Sequence, residues 1–177
     1  MPFSSVVNNP RQKPCRISCK NTRLSRCRDP GILGQPTLTN RFPDVEKTLT
    51  KLNAADQLDL YMFSNGSHIT LQNARSTHDI LSTIFPRDKI VTVDDVKSYK
   101  PSRASYTHML KTAGKLDCPR EGILISSNPF DICGARNMGM RAVWINRSPT
   151  AAWFDQLGEG PTWTCKAFSE LANFVPD

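Results

Sequence analysis

Gly122-Ile123-Leu124-Ile125-Ser126-Ser127-Asn128-Pro129-Phe130-Asp131 is an apolar run that turns abruptly polar. Three consecutive aliphatic residues behind a glycine fit a strand buried on both faces, because a strand with one wet face would alternate. Pro129 suits the first turn of a helix, where its missing N–H costs nothing. The stretch is therefore predicted to be a strand, a polar turn and the start of a helix that runs through Ile132, Ala135 and Met138 to Gly139. Ala142-Val143-Trp144-Ile145 makes the next strand. That is the repeating unit of a parallel sheet, and its polar junction lies where such sheets hold ligands.

Upstream, the same alternation recurs. A helix is expected to start at Pro43 and bury Val45, Leu49 and Leu52, followed by a strand at 58–63 that ends in Ser64-Asn65-Gly66. His68 to Phe85 reads as one helix stopped by Pro86, Ile90 to Val93 as a short strand, and Ser102 to Ala113 as a helix ended by Gly114. Phe168 to Phe174 is expected to close the chain as an amphipathic helix. Strands and helices alternate without a repeat, which predicts an α/β fold: a Rossmann-like parallel sheet with helices on both faces.

The 177 residues suit a single domain, and no apolar run approaches the roughly 20 residues that cross a bilayer. The formal charge of +7 belongs entirely to residues 1–28, which hold seven Lys/Arg and no acid, so the remainder is neutral. Nucleic-acid attachment would rest on that segment's charge alone, and neither it nor membrane association is expected. Residues 1–40 are rich in Pro, Ser, Arg and Asn and are expected to form a disordered basic segment, with the domain occupying 41–177. Their composition also resembles a mitochondrial transit peptide, although five prolines interrupt the amphipathic helix such a peptide needs; the cytoplasm is the expected compartment. Cys15, Cys19, Cys27, Cys118, Cys133 and Cys165 lack a metal-binding spacing and read as reduced thiols.

Three clusters of polar residues follow apolar runs. Ser64-Asn65-Gly66 offers a hydroxyl, an amide and a glycine that lets the backbone curl around a small anion, though such a tripeptide is equally an ordinary turn. Lys100 precedes Pro101 and could neutralise a buried carboxylate, with Tyr106 six residues later. Ser126, Asn128 and Asp131 place hydrogen-bonding groups and one acid after the strongest strand; Ser127 or Asn128 would also serve as a helix cap, with Asp131 favoured by the helix dipole.

In order and spacing, Phe63-Ser64-Asn65-Gly66-Ser67, Tyr99-Lys100-Pro101 with Tyr106, Ile125-Ser126-Ser127-Asn128-Pro129-Phe130-Asp131 and Trp144-Ile145-Asn146-Arg147 resemble the haloacid dehalogenase-like superfamily, specifically its 2-haloacid dehalogenase branch. The resemblance implies hydrolysis of a short 2-haloacid through an aspartyl ester. It implies that Ser64 and Asn65 bind the substrate carboxylate, that Lys100 pairs with the nucleophile, and that Tyr106 supports the site by hydrogen bonding. Ser126 and Asn128 would position the lysine and the hydrolytic water, Asp131 would orient the lysine and help activate that water, and Phe130 would lie near the leaving halide. The expected partner is a small 2-halo or related carboxylic acid, a homodimer is a further expectation, and no metal or other cofactor is expected.

One departure is large. The resemblance calls for a central first strand ending in an acid, followed by a helical cap, and neither is recognisable: Asp29, the only acid before Phe42, follows no buried strand. The fold is therefore expected to lack its first strand and most of the cap domain, leaving two strands with unpaired backbones unless another segment fills the gap. Ile32-Leu33 and Thr37-Leu38 are the upstream apolar candidates. Without the acid, turnover is not expected; a non-catalytic protein that binds a small acid or a protein partner is the alternative.

Overall fold

The computed structural model describes residues 4–8, 42–153 and 158–174. The expected basic cluster, Cys15, Cys19, Cys27, Asp29, Ile32-Leu33 and Thr37-Leu38 lie outside the described residues.

Six strands form one sheet: β1 (Ser4–Asn8), β2 (Asp59–Ser64), β3 (Ile90–Thr92), β4 (Gly122–Ser126), β5 (Arg141–Ile145) and β6 (Trp163–Cys165), in the spatial order β3-β2-β1-β4-β5-β6. β2 with β3, β4 with β5 and β5 with β6 are parallel. β1 runs antiparallel to both of its neighbours, β2 and β4, so those two share a direction. The parallel α/β sheet expected from the sequence is present, with one reversed strand at its centre.

That strand corrects the expectation of disorder for residues 4–8, and it comes from neither of the two upstream candidates. Ser4-Ser5-Val6-Val7-Asn8 carries only two apolar residues near Pro2 and Pro10, too little to signal a strand. Its stabilisation is non-local: the inner edges of β2 and β4 would otherwise present unpaired N–H and C=O groups, and β1 pairs with both.

Alternation along the strands sends side chains into two cores. Leu60 and Met62 of β2, with Ile125, Val143 and Ile145, pack beneath α1 (Pro43–Asn53), α2 (His68–Ser76) and α3 (Asp79–Ile84). Tyr61 and Phe63, with Leu124, Ala142 and Trp144, pack beneath α4 (Arg103–Thr112) and α5 (Pro129–Asn137) on the other face. No helix among the described residues is long and apolar enough to cross a membrane.

Local chemistry explains where the elements differ from expectation. The single helix predicted over 68–85 is two, because Ser76 Oγ and Thr77 Oγ1 bond back to the carbonyls of Asn73 and Ala74, and His78 is extended. Phe168–Phe174 winds as a 3-10 helix, and β6, three residues long, showed no periodicity in the sequence.

Asp44 joins the two ends of the described domain. From the first turn of α1 its carboxylate accepts hydrogen bonds from Arg147 at 3.0 and 3.1 Å and from the backbone N–H groups of Phe168 and Ser169 at 2.7 and 3.3 Å. Partial burial would raise its pKa, but the Arg147 guanidinium and these backbone donors together hold it below the ordinary carboxylate value. A depressed pKa contributes stability above the unfolded value, near 3.8, that is lost as the pH falls through the folded value. Asp44→Asn is expected to cost about 1.5–3 kcal/mol at pH 7 in denaturant unfolding, with the difference from wild type shrinking below pH about 4.

Candidate active site

β2 ends in a tight hydrogen-bonded turn. Ser64 is buried, and its Oγ accepts from the Gly66 N–H at 3.0 Å, while Ser67 caps α2 through the Thr70 N–H. Asn65 reaches across to the segment that precedes α4: its Oδ1 accepts from the Lys100 N–H at 2.8 Å, and its Nδ2 donates to the Lys100 carbonyl at 3.4 Å. The Lys100–Pro101 peptide is cis. The first two clusters picked out in the sequence are thus directly bonded.

The third cluster meets them through a buried ion pair. Lys100 Nζ lies 3.1 Å from Asp131 Oδ2, with the side chains 3% and 0% exposed. The same ammonium donates to the Phe63 carbonyl at 3.3 Å and sits 4.6 Å above the centre of the Phe63 ring. Ser126 Oγ donates to Asp131 Oδ2 at 2.9 Å and accepts from the Asn128 N–H at 3.1 Å. The ends of β2 and β4, the Lys100 segment and the first turn of α5 therefore converge on one buried ion pair.

Burial pushes the Lys100 pKa down, and the Asp131 charge offsets only part of that. Burial, reinforced by the negative charge of Asp131, holds the Tyr106 phenol well above its ordinary pKa, so it remains a neutral donor. Tyr106 is fully buried, stands edge-on to Phe63 and donates to the backbone carbonyl of Asp131 at 3.1 Å, which fixes α5 beneath the site. A methyl group at Gly134 would overlap the Tyr106 hydroxyl and ring, so glycine is what lets α4 and α5 approach here.

Asn128 occupies the cap position of α5, but its side chain makes no capping bond, and the turn is closed by Ser126 Oγ instead. Phe130, 36% exposed, stands outside this hydrogen-bonded cluster. Two contributors were not anticipated from the sequence: the Phe63 carbonyl and ring, and Trp144, whose Nε1 donates to the Ser127 carbonyl at 3.1 Å. An aromatic directly before Ser64 was the available signal for the first, and Trp144 stands in one of the motifs that carry the resemblance. Among the described residues no group of three or more His, Cys, Asp or Glu side chains could hold a metal ion.

The family model for haloacid dehalogenase-like hydrolases matches residues 32–145. The chain belongs to the haloacid dehalogenase-like hydrolase family. It is 33% identical over 136 residues to (S)-2-haloacid dehalogenase H-109 of Pseudomonas putida, covering 76% of this chain and 57% of that protein. To the (S)-2-haloacid dehalogenase of Pseudomonas sp. strain YL it is 37% identical over 123 residues, 69% of this chain and 49% of the relative. A solved dehalogenase with an intermediate complex superposes with a TM-score of 0.66 at 28% identity, covering 77% of this chain and 57% of that one. The chain spans about half the length of the curated relatives it matches.

In this haloacid dehalogenase-like core the Lys100–Asp131 pair is expected to be strongly coupled. Lys100→Met leaves Asp131 buried without its ammonium and is expected to cost about 3–5 kcal/mol, whereas Lys100→Met/Asp131→Leu should recover much of that in urea unfolding. Because the folded chain releases the Lys100 proton before the unfolded chain does, wild-type stability should gain from this group as pH rises from the lowered value toward about 10.5.

Proposed function

We propose that this chain is a 2-haloacid dehalogenase-type hydrolase core that binds a short 2-halo or related carboxylate and does not release halide by itself. Ser64 and Asn65 bind the carboxylate group, Asn128 and Ser126 position a water and the lysine, and Phe130 flanks the halogen. Lys100 supplies positive charge beside the reacting carbon, held there by Asp131. Tyr106 supports the site from below through α5.

The observation that carries this reading is the contrast between the convergence on Asp131 and the strand beside it. The buried Lys100–Asp131–Ser126 cluster sits at the ends of β2 and β4. Between those strands runs Ser4-Ser5-Val6-Val7-Asn8, which contains no acid and is antiparallel. Displacement of halide through an ester requires a carboxylate oxygen to attack the carbon that bears the halogen, and this strand offers none. Asp131 is already engaged by Lys100 and Ser126, and the dehalogenase names of the relatives support the choice of substrate class.

The test is chloride release from 2-chloropropionate by the full chain. None is expected above the rate of a heat-denatured sample, and release that disappears in Lys100→Ala would overturn the proposal.

A further inference from the structure

A second carboxylate, away from the buried pair, is held between two imidazoles. Asp95 follows β3; its Oδ1 lies 2.8 Å from His68 Nε2 and its Oδ2 3.1 Å from His108 Nε2. Neither histidine nor Asp95 is close in sequence to the others, and each belongs to a different segment. His68 is the first residue of α2, directly after the Ser64–Ser67 turn, and its N–H donates to Asp94 Oδ2 at 3.0 Å. His108 lies on α4, which begins directly after the segment that carries Lys100.

Asp95 is also tied to its own segment. Thr92 and Asp95 form a capping box at the end of β3, with the Thr92 N–H donating to Asp95 Oδ2 at 3.4 Å. Although partial burial raises the Asp95 pKa, the bonds from His68, His108 and Thr92 outweigh it and keep the group ionised. An isolated surface ion pair contributes little, but a carboxylate whose two oxygens engage two different segments sets the distance between them. Those helices begin beside the two stretches that Asn65 joins, the Ser64–Ser67 turn before α2 and the Lys100 segment before α4.

We propose that Asp95 is a positioning residue for the carboxylate site: through His68 and His108 it holds the Ser64–Asn65 turn in register with Lys100. The proposal rests on the reading that this turn and Lys100 together receive a carboxylate. An ionised carboxylate only accepts, so a neutral ring facing Asp95 takes the Nε2–H tautomer and the protonated ring donates there as well; the clamp needs an ionised Asp95 and correctly placed donors.

The clearest reporter is the Lys100 amide, whose hydrogen bond to Asn65 Oδ1 spans the two segments. Amide hydrogen exchange of the full chain is compared for wild type, Asp95→Ala, His68→Leu and His68→Gln, with the Val143 amide of β5 as the internal reference. Asp95→Ala and His68→Leu should speed Lys100 exchange about tenfold and leave Val143 unchanged, as for local opening after loss of a charge-assisted bond. His68→Gln, which keeps a donor near the Nε2 position, should stay within about threefold of wild type. Unchanged Lys100 exchange in Asp95→Ala, equal effects of Leu and Gln at position 68, or a parallel rise at Val143 would each overturn the proposal. In the same variants affinity for 2-chloropropionate should fall about tenfold for Asp95→Ala and His68→Leu only. If wild type binds no 2-chloropropionate, the carboxylate reading fails, and the exchange result still decides the role of Asp95.

Discussion

Lys100 and Asp131 bring an ammonium and a carboxylate out of water at a point where four parts of the chain meet. Desolvating two such charges costs several kcal/mol each, and attraction between them offsets this only when the remaining hydrogen-bonding capacity is used. The surroundings use part of that capacity: the Phe63 carbonyl and ring take the ammonium, and Ser126 Oγ takes the carboxylate oxygen that faces Lys100. Each partner depends on a different element being correctly placed. β2 must present Phe63, β4 must end at Ser126, α5 must start at Pro129, and Asn65 must grip the Lys100 backbone. Tyr106 and Gly134 then set how closely α4 and α5 pack beneath the pair. An apolar pair of similar volume often holds a fold as well, and this supports reading the charges as part of the proposed site at the ligand edge of the sheet.

The strand in the middle of that sheet is a different kind of constraint. β1 pairs with β2 over five residues and with β4 over four, so the central backbone is satisfied. Its reversed direction brings its first residue, Ser4, opposite Phe63 at the edge where Lys100 and Asp131 sit. A parallel strand would present its last residue there, and the resemblance to 2-haloacid dehalogenases calls for an acid at that end. Ser4–Asn8 closes the sheet and supplies no such acid. Sheet closure and nucleophile supply are therefore separate properties of one position, and Ser4–Asn8 provides the first.

Elements set by local patterning are legible in the sequence itself. Pro43 at the start of α1, the apolar run of β4 and Gly114 after α4 mark their elements because burial and backbone geometry act over a few residues. β1 escaped because its stabilisation comes from β2 and β4, far away in sequence, and not from its own five residues. The break between α2 and α3 escaped because Thr77 and His78 are not strong helix breakers; their effect appears only when the hydroxyls turn back on the helix. The site residues stood out as polar groups after strands, yet that Asp131 would be the acceptor for both Lys100 and Ser126 followed from no spacing. The His68–Asp95–His108 bridge was likewise illegible, since the histidines lie 27 and 13 residues from Asp95 and form no recognised pattern with it.

The proposed function stands on Ser64, Asn65 and Lys100 receiving a carboxylate together. Titration of the isotope-labelled full chain with 2-chloropropionate, followed by amide chemical shifts, reads it out without any need for turnover. Saturable shifts centred on Asn65, Gly66 and Lys100 are expected, together with their loss in Asn65→Ala. Shifts that never saturate, or that cluster on residues remote from the ends of β2 and β4, would contradict it.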